Sequence, residues 1–231
     1  MLRKNNNKKF KLVITILFTI IILAFLIFFI KNIYKNFKTG NNMSNKSIKE
    51  IEEYILNISS YEAEVTVQIE SNKNTNKYVI SQKYVAPNMS KQVVKEPSNI
   101  AGIEIIYDGQ NLTINNTRFN LSKIYENYEY IADNILCLES FISNYIENKE
   151  ISKIYEENNE YVLETKINNN EYAKKERLYI DKNTSNPTKL LIEDINEKTV
   201  VYILYNEIKI NDLEQNDILA FKNITPYARL Y

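Results

Sequence analysis

Hydrophobic and polar positions divide this chain into three regimes. From Leu12 to Ile30, nineteen residues run without a charge, and only Thr15 and Thr19 interrupt the aliphatic and aromatic side chains. A helix of that length rises about 30 Å, the thickness of a bilayer's hydrocarbon core, and satisfies its own backbone groups, as lipid requires. The pattern predicts one transmembrane helix over 12–30, preceded by a basic N-terminus over 1–11 and followed by a polar tether over 31–46.

Beyond the tether the period becomes helical. Ile48, Ile51, Ile55 and Ile58 recur at three and four residues, and Ser47 and Glu50 stand at capping-box spacing. From Tyr61 the period drops to two: Tyr61, Ala63, Val65, Val67 and Ile69 alternate with polar residues, which predicts a half-buried strand. Further strands are predicted at Tyr78–Ala86, Met89–Lys95, Ile103–Tyr107 and around Leu112 and Ile114, with Phe119 and Leu121 closing the first block. Pro87-Asn88, Glu96-Pro97 and Asp108-Gly109 separate them, the last being the strongest short hairpin signal in the chain. Ile131, Ile135, Leu138, Ile142 and Tyr145 then predict a second helix over Tyr130–Asn148. Five more strands follow at Ile151–Glu157, Tyr161–Ile167, Tyr172–Asp181, Thr188–Glu193 and Thr199–Ile210, with a last short one at Leu219–Phe221. Their short Asn-rich connections make neighbours antiparallel.

A helix, a run of hairpins, a helix and a second run of hairpins can bury both helices only under one curved sheet. The expected fold class is therefore α+β: an open, incomplete antiparallel β-barrel over 47–231 wrapping two helices, preceded by the membrane span.

Charge decides the side of the membrane. Arg3, Lys4, Lys8, Lys9 and Lys11 precede the span, against Lys31, Lys35 and Lys38 after it, so the N-terminus is expected in the cytoplasm and the domain outside. A cleaved signal peptide is the competing reading. The length of the apolar run, and the Lys31-Asn32-Ile33-Tyr34 that follows it where a small-residue cleavage site would stand, favour an uncleaved anchor. The overall balance of 29 basic and 29 acidic residues hides an asymmetry, because eight basic residues lie between Arg3 and Lys38 and no acid precedes Glu50. The remaining 21 basic groups face all 29 acids, a net charge near −8 that excludes a nucleic-acid partner.

Composition narrows the chemistry. The chain has no histidine, the usual general base and the commonest metal ligand, so no catalytic residue, metal or cofactor is expected. A carboxylate pair acting on glycan is the only enzymatic alternative, with Glu104 and Asp108 or Glu126 and Glu129 as its nominees, and their spacing does not set them apart from solvated acids. Cys137 is the single cysteine, read as a small buried side chain. Tyr125, Tyr128 and Tyr130 are the densest aromatic cluster and the candidate partner surface, since tyrosine buries large area at small entropic cost.

Particular residues also carry a resemblance. Tyr84-Val85-Ala86-Pro87-Asn88, then Ile105-Ile106-Tyr107-Asp108-Gly109-Gln110-Asn111-Leu112, resemble the strand, proline, strand and Asp-Gly hairpin of the LolA and LolB lipoprotein-carrier superfamily. Leu178-Tyr179-Ile180-Asp181, Pro187-Thr188-Lys189 and Tyr205 to Asn211 are similar to its paired closing strands. Within it, Lys95 to Gly102 and the strand Asn111-Leu112-Thr113-Ile114 resemble the clostridial spore germination lipoproteins of the GerS type. That resemblance implies a LolA-like half-barrel without enzymatic activity, acting in sporulation and germination beside a cell-wall, spore-cortex-modifying amidase. The GerS type is anchored by a lipid on an N-terminal cysteine, whereas no cysteine precedes Cys137 here, so the 12–30 span takes that place. The alternative the carrier fold implies is the binding or transfer of lipid or lipoprotein acyl chains in an apolar cavity.

Overall fold

The predicted capping box forms. Ser47 Oγ accepts from the Glu50 amide at 3.4 Å, and the Glu50 carboxylate accepts from the Ser47 amide at 2.7 Å, opening helix α1 (Ile48–Leu56). Ser47→Ala removes one of these bonds and is expected to cost about 1 kcal/mol, read as a lower thermal midpoint. The computed structural model describes residues 47–71, 73–128, 134–168 and 170–219. The basic N-terminus, the 12–30 span and the tether lie outside them, and among the described residues no helix is long and apolar enough to cross a membrane.

Eleven strands form one sheet: β1 (Ser60–Glu70), β2 (Thr75–Val85), β3 (Met89–Glu96), β4 (Ile103–Asp108), β5 (Leu112–Asn116), β6 (Leu121–Tyr125), β7 (Lys153–Glu157), β8 (Glu160–Lys166), β9 (Lys175–Asp181), β10 (Pro187–Glu193) and β11 (Thr199–Ile210). Their spatial order is β6-β5-β4-β3-β2-β1-β11-β10-β9-β8-β7, antiparallel throughout. Two meanders are thus joined where β1 meets β11, with Tyr61 opposite Ile210 and Val67 opposite Ile203. The register slips by one residue at Glu64/Val65, so Asn206 is extra and Tyr205 and Ile208 both turn inward, beside Val65 and Ala63. The sheet is open, with β6 and β7 as its edges.

Helix α2 (Leu138–Glu147) joins the two meanders. It is shorter than predicted: Asn134 to Cys137 form a turn, and residues 130–133 lie outside the described set. Ile51 and Ile55 of α1 meet Leu138, Phe141, Ile142 and Tyr145 of α2 over the inward side chains of β1, β2 and β8 to β11. Tyr145 Oη donates to Glu52 at 2.6 Å and Lys149 pairs with the same carboxylate at 2.6 Å, tying the helices together.

Two expectations are corrected. Leu219 ends a short helix, α3 (Gln215–Leu219), instead of opening a strand, because Ile218 and Leu213 anchor this segment against Val85, Met89 and Ile106 on the outer face of β2 to β4. The first meander closes with Leu121–Tyr125, while Phe119 belongs to the preceding turn. Edge strand β6 is exposed at every position, so burial never sorted its side chains into a period of two.

Candidate partner-binding surface

The Asp108-Gly109 hairpin builds the end of the sheet on which the tyrosine cluster stands. Asp108 Oδ1 accepts from the amides of Gln110 and Asn111 at 3.1 and 2.8 Å, and Gly109 takes a φ of +95°, which a side chain would strain. The tip then grips the chain leaving β6. The Tyr128 amide donates to the Gln110 carbonyl at 2.9 Å, Gln110 Nε2 donates to Asn127 Oδ1 at 2.8 Å, and Tyr107 Oη donates to the Tyr128 carbonyl at 3.3 Å. These bonds bring Tyr125 and Tyr128 together, ring centroids 6.4 Å apart and edge to face, with Lys123 Nζ 4.7 Å from the Tyr125 ring. Tyr130 lies outside the described residues.

Cross-strand register aligns Tyr107, Leu112 and Tyr125 in one row of the face that carries Tyr61 and Tyr84, and Ile105, Ile114 and Lys123 in the next. The long helices pack on the other half of the sheet, α2 against β8 and α1 against β7. From β3 to β6 only Met89, Lys91 and Tyr107 are buried. The result is an apolar wing open to solvent: Phe119 is 67% exposed, Leu121 65%, Tyr125 38% and Ile105 37%, while Ile124, 54% exposed, turns to the opposite face beside Thr113. Half of the ten exposed large apolar residues among those described fall in this segment.

The Lys95 to Gly102 segment borders the wing. Its loop is closed by Gly102, whose amide donates to the Val94 carbonyl at 2.9 Å and whose own carbonyl accepts from the Thr117 amide at 3.0 Å. Gly102 has a φ of +86°, and a Cβ there would stand 2.6 Å from Thr117 Oγ1, so both backbone and packing require glycine. Arg118 donates to the Ser98 carbonyl. Lys95, Glu96, Pro97, Ser98, Ala101 and Arg118 line an open groove of about 540 Å³.

Two of the four nominated acids, Glu104 and Asp108, are occupied structurally. Glu104 pairs with Lys91 at 3.4 Å on the outer face, Asp108 caps the hairpin, Glu126 is exposed beyond β6, and Glu129 lies outside the described residues. Cys137 is buried with its sulfur 2.8 Å from Gln92 Nε2, and burial together with the nearby Glu139 carboxylate pushes its thiol pKa well up, which keeps it an unreactive thiol.

One buried group went unnoticed in the sequence. Glu176, inward on β9 beside Thr165 of β8 and Ile192 of β10, is fully buried. Its Oε1 accepts from Asn144 Nδ2 of α2 at 2.5 Å, and its Oε2 has no partner. The signal was available, since strand alternation puts Glu176 on the face of Leu178 and Ile180.

The family model of the YdcC-like sporulation proteins matches residues 9–218. The chain belongs to the YdcC-like sporulation protein family. Solved structures similar to this YdcC-like chain include one of the CwlD amidase from Clostridioides difficile in complex with the GerS lipoprotein, at 25% identity over 74% of this chain and 97% of that one, with a TM-score of 0.40. A LolA superfamily protein from Nitrosomonas europaea is 13% identical over 75% and 98% of the two chains, with a TM-score of 0.41. An uncharacterised conserved protein from Thermus thermophilus is 11% identical over 75% and 93%, with a TM-score of 0.49. Among curated proteins none matches the chain. LolA-superfamily folds and the GerS complex, the resemblances carried by the sequence, both recur among these structures.

Proposed function

We propose that this YdcC-like protein is a non-catalytic binding module of the cell envelope in sporulation and germination, held outside the cytoplasm by its 12–30 span and engaging a cell-wall-modifying amidase. The observation that carries this reading is the open apolar wing of β4 to β6, an uncovered surface on a sheet whose other half is filled by its own helices. Membership of a sporulation family supplies the setting, and the family match begins at residue 9, so it includes the apolar stretch. The lack of histidine supports a division of labour in which the partner does the chemistry. The amidase is the partner class that the GerS-type resemblance suggests.

Acyl-chain carriage is disfavoured by the side chains between helices and sheet. Ile51, Ile55, Leu138, Phe141, Leu163 and Ile203 are fully buried there and occupy the space that a carrier of this fold would leave for lipid.

Purified full-length protein in detergent, mixed with the spore-cortex amidase of the same organism, is expected to form a stable complex in size-exclusion chromatography. No complex, together with retained acyl-chain mass in native mass spectrometry, would replace the partner reading with lipid carriage.

A further inference from the structure

Strand β6 is an edge whose apolar and aromatic side chains are all exposed, and among the described residues no strand pairs with its outer side. Exposed edges usually carry a device against pairing, such as proline, a bulge, several charges or a covering segment. Here the sequence Leu121-Ser122-Lys123-Ile124-Tyr125 has a single charge, and Lys123 lies over the Tyr125 ring instead of projecting past the edge.

The charges at the two ends of this edge are opposite. At the Leu121 end, Lys95 and Arg118 line the groove beside the β5–β6 turn, and neither has an ion pair among the described residues. Glu96 is the one acid on that groove, which leaves it net positive in a domain that is net negative. At the Tyr125 end stands exposed Glu126. The nearby acids are already used: Glu104 holds Lys91, and Asp108 caps the hairpin.

We propose that β6 is a docking edge for an extended segment of a partner protein, which adds antiparallel as a twelfth strand and continues into an acidic stretch held by Arg118 and Lys95. A strand added antiparallel to β6 starts beside Tyr125 and ends beside Leu121, so its C-terminal end leads across the β5–β6 turn to the groove. Backbone pairing along the edge provides affinity, alternate apolar side chains extend the rows of Tyr107, Leu112 and Tyr125 and of Ile105 and Ile114, and the charges set direction. A segment with acids at its N-terminal end would instead place them against Glu126 and leave Arg118 without a counter-charge. The proposal deepens the partner-binding reading by naming the surface and the chain direction, and it does not depend on the partner being an amidase.

The test uses full-length protein in detergent and two synthetic peptides of identical composition, alternating threonine and valine, one with an N-terminal lysine and a C-terminal Glu-Asp-Glu, the other with these ends exchanged. The first is expected to bind about tenfold more tightly. It should slow backbone amide exchange in β6, and Arg118→Glu should abolish the preference while the circular dichroism spectrum stays that of the folded protein. Equal binding of the two peptides, no binding at millimolar concentration, or protection that leaves the β6 amides exchanging as before would overturn the proposal, as would self-association of the protein that the first peptide fails to compete. Peptide discrimination without amidase association removes the amidase and keeps the surface; amidase association that Arg118→Glu and Ser122→Pro both leave intact removes the surface and keeps the amidase.

Discussion

Glu176→Gln is expected to stabilise the domain at pH 8 by about 3 kcal/mol and to have little effect at pH 4. Burial, opposed only by the Asn144 hydrogen bond, pushes the Glu176 pKa up to about 7. An unfolded glutamate titrates near ~4.3, so between these values the folded state keeps a proton that the unfolded state has released. Stability conferred by the neutral acid is therefore fully present below the unfolded pKa and is lost as pH rises through 7. Asn144, Thr165, Ile192 and Tyr205 surround the carboxyl from α2, β8, β10 and β11, and no cation among them compensates the charge once it forms. The amide variant keeps an acceptor for Asn144 and has no charge to bury. Glu52 shifts in the opposite direction: burial alone would raise its pKa, but the hydrogen bonds from Lys149 and Tyr145 prevail and lower it. Denaturant midpoints at pH 4, 6 and 8 provide the check, and parallel loss of stability in wild type and variant across that range would acquit Glu176.

Phe141→Ala is expected to cost about 3–5 kcal/mol at every pH, because it empties a fully enclosed site between the helix pair and the sheet. The ring lies 5.9 Å from that of Tyr145, whose hydroxyl ties α2 to Glu52 of α1, so the cavity also loosens the contact that seats both helices. Denaturant unfolding followed by circular dichroism measures the loss. If the cost stays under about 1 kcal/mol, the site collapses on truncation and the helices are held chiefly by Glu52, Tyr145 and Lys149. The two substitutions also separate in their pH profiles, one flattening the curve and the other lowering it uniformly.

The tyrosine cluster illustrates how far a local pattern reaches. Its density made Tyr125, Tyr128 and Tyr130 the candidate surface, and Tyr125 and Tyr128 do meet, but their meeting depends on the Asp108-Gly109 tip gripping Asn127 and Tyr128 from across the hairpin. The strand carrying Tyr125 was legible only as far as Leu121, since an edge residue has solvent on both faces and no burial to impose a period. In β1 and β11 the opposite holds: one face meets the core, and the alternation of Tyr61, Ala63, Val65 and Val67 gave the strand and its inward face together.

What the sequence by itself determined were the quantities set within a few residues of one another: the capping box at Ser47 and Glu50, the helical faces of Ile51 and Ile55, the Asp108-Gly109 turn, and the boundaries of most strands. Backbone preferences and hydrophobic periods act over that range, and they are written in adjacent side chains. Only the tertiary structure decided which strands became edges, that Tyr61 faces Ile210 across the whole length of the domain, that Glu176 lost its water while Leu121 and Tyr125 kept theirs, and that Lys95 and Arg118 share one groove. Each of these depends on which distant surfaces the folded chain brings together to exclude water, and such long-range contacts leave no spacing rule in the sequence that makes them.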